Sequence, residues 1–62
     1  MKITNVEIAR EIEARGYDFD RALDAMDEAR TPEQEAEEIT AEEVLNMVKD
    51  ICLAFDCEDE EN

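Results

Sequence analysis

Residues 39–55, ITAEEVLNMVKDICLAF, form the most apolar stretch of the chain. They decide the fold, because the other segments must pack against this stretch. Their apolar positions recur every three or four residues, as on one face of an α-helix, and are Val44, Leu45, Met47, Val48, Ile51, Cys52 and Phe55. At roughly 100° per residue they span an arc of about 160°, while Leu53 points away. A helix at the edge of a bundle needs about 100° of apolar face. We therefore expect a helix over about 41–55, either packed between two others or covered in part by a second copy or a partner.

Two earlier segments carry the signals of shorter amphipathic helices. The capping box of Thr4–Glu7 starts a first helix, and Gly16 supplies the left-handed residue that ends it. A second helix begins at Asp18 or Asp20, either of which can cap it, and ends near Arg30. Its apolar face consists of Phe19, Ala22, Leu23, Met26 and Ala29.

The segment before the last helix has a helix start but no apolar stripe. Pro32 follows Thr31 at the first helical position, and Gln34 stands at the capping-box position. The segment 32–38 is therefore either a short solvated helix or a mobile connection. Together these signals predict an all-α fold, a small three-helix bundle with a short fourth helix or a connection at 32–38. Residues 1–55 form the single helical domain, and 56–62 form an acidic flexible tail.

The chain is strongly and unevenly acidic. It holds 20 Asp and Glu against six Lys and Arg, a formal net charge of −14. Residues 1–31 contribute eight acids and five bases, whereas residues 32–62 contribute twelve acids and one base, Lys49. If residues 32–62 formed one straight helix, their net charge of −11 would fall about every 4 Å, close to the roughly 3.4 Å of a nucleic-acid strand. Such a density favours a basic protein as partner and opposes direct binding to nucleic acid.

The sequence lacks the residues on which most enzyme mechanisms depend. The sequence contains neither His nor Ser, which excludes Ser–His and Cys–His nucleophiles, and its single glycine excludes a Gly-rich phosphate loop. The spacing of three acidic residues matches the first part of an EF-hand calcium-binding loop; they are Asp18, Asp20 and Asp24. However, Leu23 and Ala29 replace the Gly and Glu that such a loop requires. We therefore expect a protein that is not an enzyme and that holds no metal or cofactor.

The cysteines and the apolar segments bear on location. Cys52 and Cys57 lie on different faces of a helix and are expected to remain free thiols, as in a reducing compartment. No apolar segment is long enough to span a bilayer, and no basic and then apolar leader follows Met1. The expected location is the cytoplasm, without a membrane partner.

In length, charge and helical character the whole chain resembles small acidic phage-encoded inhibitors of bacterial defence complexes, among them many anti-CRISPR proteins. The resemblance implies a stoichiometric inhibitor that mimics nucleic acid in the cytoplasm of a bacterial host. It would occupy the basic DNA- or RNA-binding surface of an effector such as a CRISPR surveillance complex. The predicted contacts are the carboxylates Glu33, Glu35, Glu37, Glu38, Glu42 and Glu43, assisted by Asp56, Glu58, Asp59, Glu60 and Glu61.

A second interpretation is a helical protein–protein interaction module that binds through apolar faces, with the acidity serving only solubility. Gly16-Tyr17, then Ala22-Leu23 and a third amphipathic helix, resemble the three-helix ubiquitin-associated domain. That resemblance implies a binding patch of Tyr17, Leu53 and Phe55. Self-association through the wide apolar face of the last helix, giving a homodimer, is compatible with either interpretation.

Overall fold

The computed structural model describes residues 1–60, with side chains as far as Glu58. This part of the chain contains four α-helices and no β-strand: α1 (Asn5–Ala14), α2 (Phe19–Ala29), α3 (Pro32–Glu35) and α4 (Ala41–Glu60). The predicted all-α fold with three main helices is confirmed. The segment predicted as helix or connection is both, because one helical turn is followed by irregular chain up to α4.

Capping boxes start α1 and α3, as the sequence predicts. At α1, Thr4 Oγ1 accepts a hydrogen bond from the Glu7 amide at 3.2 Å, and the Thr4 amide donates to the Glu7 carboxylate at 3.2 Å. Thr31 and Gln34 make the same pair of bonds at α3, at 3.2 and 2.8 Å. Each box satisfies two backbone amides that would otherwise lack a partner at the start of a helix.

The turn between α1 and α2 depends on Gly16 and Asp18. Gly16 has a φ of 103°, a left-handed conformation that other residues rarely adopt, and it directly follows the C-cap of α1. Asp18, rather than Asp20, caps α2, because its carboxylate accepts a hydrogen bond from the Arg21 amide at 2.9 Å. The turn reverses the chain, so that α2 runs back along α1.

The central helix of the bundle is α1. Its backbone approaches both α2 and α4 closely, whereas α2 and α4 lie farther from one another. α1 and α4 run in the same direction, because Met1 pairs with Ile39 at one end of the molecule and Tyr17 packs on Phe55 at the other. The buried core consists of Ile8, Ala9, Ile12, Ala22, Met26, Val44, Val48 and Phe55.

The wide apolar face of α4 is only partly buried. Its core residues are Val44, Val48 and Phe55. Half-buried at the edge of the core are Met47, Ile51 and Cys52. Leu45 is 42% exposed, and Leu53, which points away as predicted, is 63% exposed. α1 therefore covers the centre of this face, and its flanks remain partly open.

α4 continues to Glu60, five residues beyond the end that the sequence predicts. Tertiary contacts account for the difference. The Tyr17 hydroxyl donates a hydrogen bond to Asp56 at 2.6 Å, and Arg21 forms an ion pair with Glu58. The first part of the segment predicted as a flexible tail is thus helical, and its last two residues lie outside the described chain.

A buried polar network joins the start of α1 to the end of α2, and the sequence pattern does not predict it. Arg30, only 6% exposed, donates from Nη1 to the Ile3 carbonyl at 3.1 Å and to Asn5 Oδ1 at 3.2 Å. Its Nη2 donates to the Gln34 carbonyl at 3.1 Å. One guanidinium therefore holds the N-terminal segment, α1 and α3 together at the end of α2.

Asn5, 3% exposed, completes the network. Its Nδ2 donates to the carbonyls of Met26 and Arg30, both at 3.3 Å, and to the Asp27 carboxylate at 3.2 Å. Its backbone amide donates to the Glu35 carboxylate at 2.7 Å. No buried side-chain polar atom among the described residues lacks a partner, which is the condition for such a network to favour the fold.

Replacing Asn5 with Ala is expected to lower the free energy of unfolding by about 2–3 kcal/mol, because buried groups around Arg30 lose their partners. The whole domain is expected to be stable by about 3–9 kcal/mol, so the urea midpoint should fall markedly. Asn46→Ala, on the exposed side of α4, is the control and should change stability by no more than about 0.5 kcal/mol. Equal midpoints for the two variants would show that the network does not stabilise the fold.

Candidate functional site

The predicted contact carboxylates fall into two groups at opposite ends of α4. The linker cluster, in α3, the α3–α4 connection and the first turn of α4, comprises Glu33, Glu35, Glu37, Glu38, Glu42 and Glu43. The tail cluster, at the far end of α4 and beyond it, comprises Asp56, Glu58, Asp59, Glu60 and Glu61. Along the helix axis Glu43 and Asp56 are about 20 Å apart. Because Leu45, Lys49 and Leu53 are exposed between them, the two clusters are separate surfaces.

The chain that carries the linker cluster is anchored at three points. Thr31 caps the start of α3, and Glu35 accepts the Asn5 amide. Ile39 pairs with Met1 through two backbone hydrogen bonds. The Met1 ammonium donates to the Ile39 carbonyl at 2.7 Å, and the Ile39 amide donates to the Met1 carbonyl at 2.8 Å. The connection is therefore held against the bundle although most of it is not helical.

Five side chains of the linker cluster are exposed, and within the described residues they accept no hydrogen bond and form no ion pair. These five free carboxylates are Glu33, Glu37, Glu38, Glu42 and Glu43. Glu35 differs, because it is half-buried and its carboxylate is bonded to Asn5. Glu35 thus serves the fold, and the five free carboxylates are the ones that this end of the molecule exposes to solvent.

At the tail cluster, two carboxylates already have partners. Asp56 accepts the Tyr17 hydroxyl, and Glu58 pairs with Arg21, whose guanidinium carbon lies 4.3 Å from the centroid of the Phe55 ring. These contacts hold the last turns of α4 against the bundle. The other predicted contacts have side chains outside the described residues: Asp59, Glu60 and Glu61.

The cations of the chain neutralise little of this negative charge. Among the described residues, the pair of Arg21 with Glu58 is the single ion pair. Arg30 is buried in the polar network, and Arg10 lies over the Phe19 ring, 5.6 Å from its centroid. The carboxylates therefore project a field into solvent, which is screened over about 8 Å at physiological ionic strength.

The residues of the alternative apolar patch do not come together on the surface. Phe55 is 5% exposed and belongs to the core, and Tyr17 is half-buried with its ring centroid 5.6 Å from that of Phe55. Leu53 is exposed on the other side of α4, about 160° around the helix from Phe55. Tyr17 and Phe55 thus join the α1–α2 turn to α4, and only Leu53 is freely accessible to a partner.

A groove that the sequence reasoning missed opens between α2 and α4. It has a volume of about 120 Å³ and is lined by Met26, Ala29, Met47, Asp50 and Ile51. The sequence signal for it is the excess width of the apolar face of α4, because such a face exceeds what one neighbouring helix covers. That signal does not say which second helix borders the uncovered part.

The two thiols differ in their surroundings. Cys52 is half-buried, Cys57 is exposed, and both are free, as expected. Burial raises the pKa of the Cys52 thiol; Arg15 opposes this rise and Asp56 adds to it. Less thiolate is therefore present on Cys52 at neutral pH than on an ordinary exposed cysteine.

The described residues hold no group of three or more His, Cys, Asp or Glu that could bind a metal ion. No helix among them is long and apolar enough to cross a bilayer. No protein-family model matches the sequence, and no curated protein or solved structure matches it. The functional interpretation therefore rests on the surfaces themselves.

Arg21→Gln is expected to loosen the last turns of α4, because it removes the ion pair with Glu58 and the cation–π contact with Phe55. Together these contacts are worth about 1–2 kcal/mol, so amide exchange in residues 56–60 should accelerate about fivefold or more by NMR. Arg10→Gln is the matched control, since it removes the same charge and a ring contact elsewhere. Equal exchange in both variants would contradict a role for Arg21 at this end of α4.

In a Cys57→Ser variant, alkylation of Cys52 by iodoacetamide is expected to be slow at pH 7. Its rate should keep rising as the pH passes about 8.5, the ordinary thiol value, because burial raises the pKa of Cys52. The same variant in urea, where burial is lost, should follow the ordinary profile. Coincident pH profiles in the native and unfolded states would contradict the effect of burial.

Proposed function

We propose that this chain is a non-enzymatic acidic binding protein that mimics nucleic acid and occupies the basic DNA- or RNA-binding surface of another protein. Bacterial defence effectors of the CRISPR type are the target class, and the bacterial cytoplasm is the location. The proposed mechanism is stoichiometric. Lys and Arg side chains of the target pair with carboxylates of this chain and are then unavailable to phosphates.

The five free carboxylates of the linker cluster carry this proposal. They lie within residues 33–43, are exposed, and are not neutralised by any cation of the described chain. The segment is anchored at Thr31, Glu35 and Ile39, so a partner meets an array of charges that is already largely in place. Binding to a preorganised array costs less conformational entropy than ordering a flexible polyanion.

The charge density of the molecule supports the same proposal. Residues 1–60 carry 19 acids and six bases, a net charge of −13, in a molecule 37 Å long. This is about one net charge per 3 Å of length, between the roughly 1.7 Å of duplex DNA and 3.4 Å of a single strand. The phosphate-binding surface of a target protein would meet a similar electrostatic field on this molecule.

The alternative of an apolar interaction module receives less support. Two of its three predicted residues, Tyr17 and Phe55, pack against each other between the α1–α2 turn and α4. A homodimer through α4 stays a prediction, and it would bring together two chains of net charge −14. Self-repulsion of that size opposes association unless the apolar contact is large.

The proposal is tested by moving the neutralised positions while keeping net charge constant. One variant carries Gln at Glu33, Glu37, Glu38 and Glu42; its control carries amides at Glu11, Glu13, Asp20 and Asp24, which are exposed on α1 and α2. Both have a net charge of −10, four less negative than the natural −14. Glu43 is left unchanged, because it is one helical turn from Met47 and borders the groove.

The measurement is displacement of labelled DNA from guide-loaded CRISPR effector complexes, at low salt and at physiological salt. The natural chain and the control should compete, and the linker variant should require at least about fourfold more protein, because four exposed pairs contribute about 0.2–1 kcal/mol each. Competition should weaken as salt rises. If both variants lose the same amount of competition, the linker cluster contributes only through net charge. If the natural chain competes with no effector, the CRISPR target class is refuted.

A further inference from the structure

The groove between α2 and α4 is apolar inside. Met26, Ala29, Met47 and Ile51 form its walls, and Asp50 is the single charged residue that lines it. Met47 and Ile51 belong to the flank of α4 that α1 does not cover, and Ala29 is exposed at the end of α2. Because Ala29 has only a methyl group, the α2 side of the groove stays open at this point.

The groove has the size of one side chain. Its volume is about 120 Å³, and a dry apolar cavity of roughly 150 Å³ accommodates a benzene molecule. An inserted residue of Leu or Met size would therefore fill it. Two of the walls are methionines, whose unbranched side chains adjust to irregular shapes and are common at adaptable binding surfaces.

Acidic residues border the groove on its α4 side. Asp50 lies on its wall, and Glu43 is seven residues earlier on the same side of α4. Lys49, the one base of α4, is about 160° around the helix from Met47 and so faces away. The combination is an apolar slot with an acidic rim, which is complementary to an apolar residue flanked by bases.

We propose that this groove binds one Leu- or Met-sized side chain of a basic amphipathic segment of a partner protein. The inference rests on the proposed function and deepens it, because it adds an apolar anchor to a partner that the carboxylates attract. Charge complementarity selects this occupant. A second copy would bring the same acidic rim and a net charge of −14, and repulsion between like charges opposes that contact.

The probes are two labelled basic amphipathic peptides of about 15 residues, long enough to form some helix, that differ only in a central Leu or Ala. Binding is followed by NMR of the methionine methyl groups. Met26 and Met47 line the groove, whereas Met1 lies beside Ile39 and is an internal control. The Leu peptide is expected to bind about tenfold more tightly than the Ala peptide and to shift the signals of Met26 and Met47.

Two Ala→Met variants separate the groove from general effects. Ala29→Met should fill the groove and reduce the affinity of the Leu peptide to that of the Ala peptide. Ala14→Met, at an exposed position on the far side of α1, should leave the difference between the peptides unchanged. Circular dichroism of both variants establishes that they are folded, and a sedimentation mass is measured for each.

Several results would overturn the inference. If both peptides bind equally and only Met1 or no methionine shifts, attraction is purely electrostatic; the groove is then not a docking site, and the proposed function stands. If neither peptide binds at low salt, the groove and the attraction for basic partners both fail. If the natural chain is a dimer and Ala29→Met makes it a monomer, the occupant is a second copy rather than a basic partner.

Discussion

The buried guanidinium of Arg30 is the interaction on which the rest of the structure depends. It bonds to the carbonyls of Ile3 and Gln34 and to Asn5, and so connects the N-terminal segment, α1 and α3 at the end of α2. A planar group with five donors suits this task, and a lysine ammonium would not reach the same set. Burying a cation is costly, but here it lies in the field of a protein with net charge −14, which favours a positive charge. The position of α3, and with it the linker cluster, follows from this contact.

Local patterns made most of the helical structure predictable. The capping boxes at Thr4 and Thr31 and the left-handed Gly16 depend on residues three or fewer positions apart, so the sequence displays them directly. The contact of Arg30 with Asn5, and that of Tyr17 with Asp56, join residues 25 and 39 positions apart. No periodicity reveals such pairs. This is why the polar network was missed and the end of α4 was predicted five residues too early.

The candidate site was predictable to the same extent. Composition identified the acidic second half of the chain, but it treated Glu35 and Glu43 as equivalent. In the fold Glu35 accepts a backbone amide, whereas Glu43 is exposed with no partner in the described chain. The separation of the carboxylates into two clusters, and the groove beside Met47, arise from how α2 and α4 meet. In the proposed complex, the exposed charges would attract the partner from a distance and the groove would add an apolar contact that requires close fit.

The exposed carboxylates that no cation of the described chain neutralises have a thermodynamic consequence. Their mutual repulsion raises the free energy of the compact state, and dissolved salt screens that repulsion. Salt should therefore make the isolated protein more resistant to unfolding, while it should weaken the proposed complex with a basic partner. A bound cationic surface takes the place of the screening ions, and any ligand that prefers the native state raises its melting temperature. The proposed partner would, in this sense, supply the positive charge that the fold lacks.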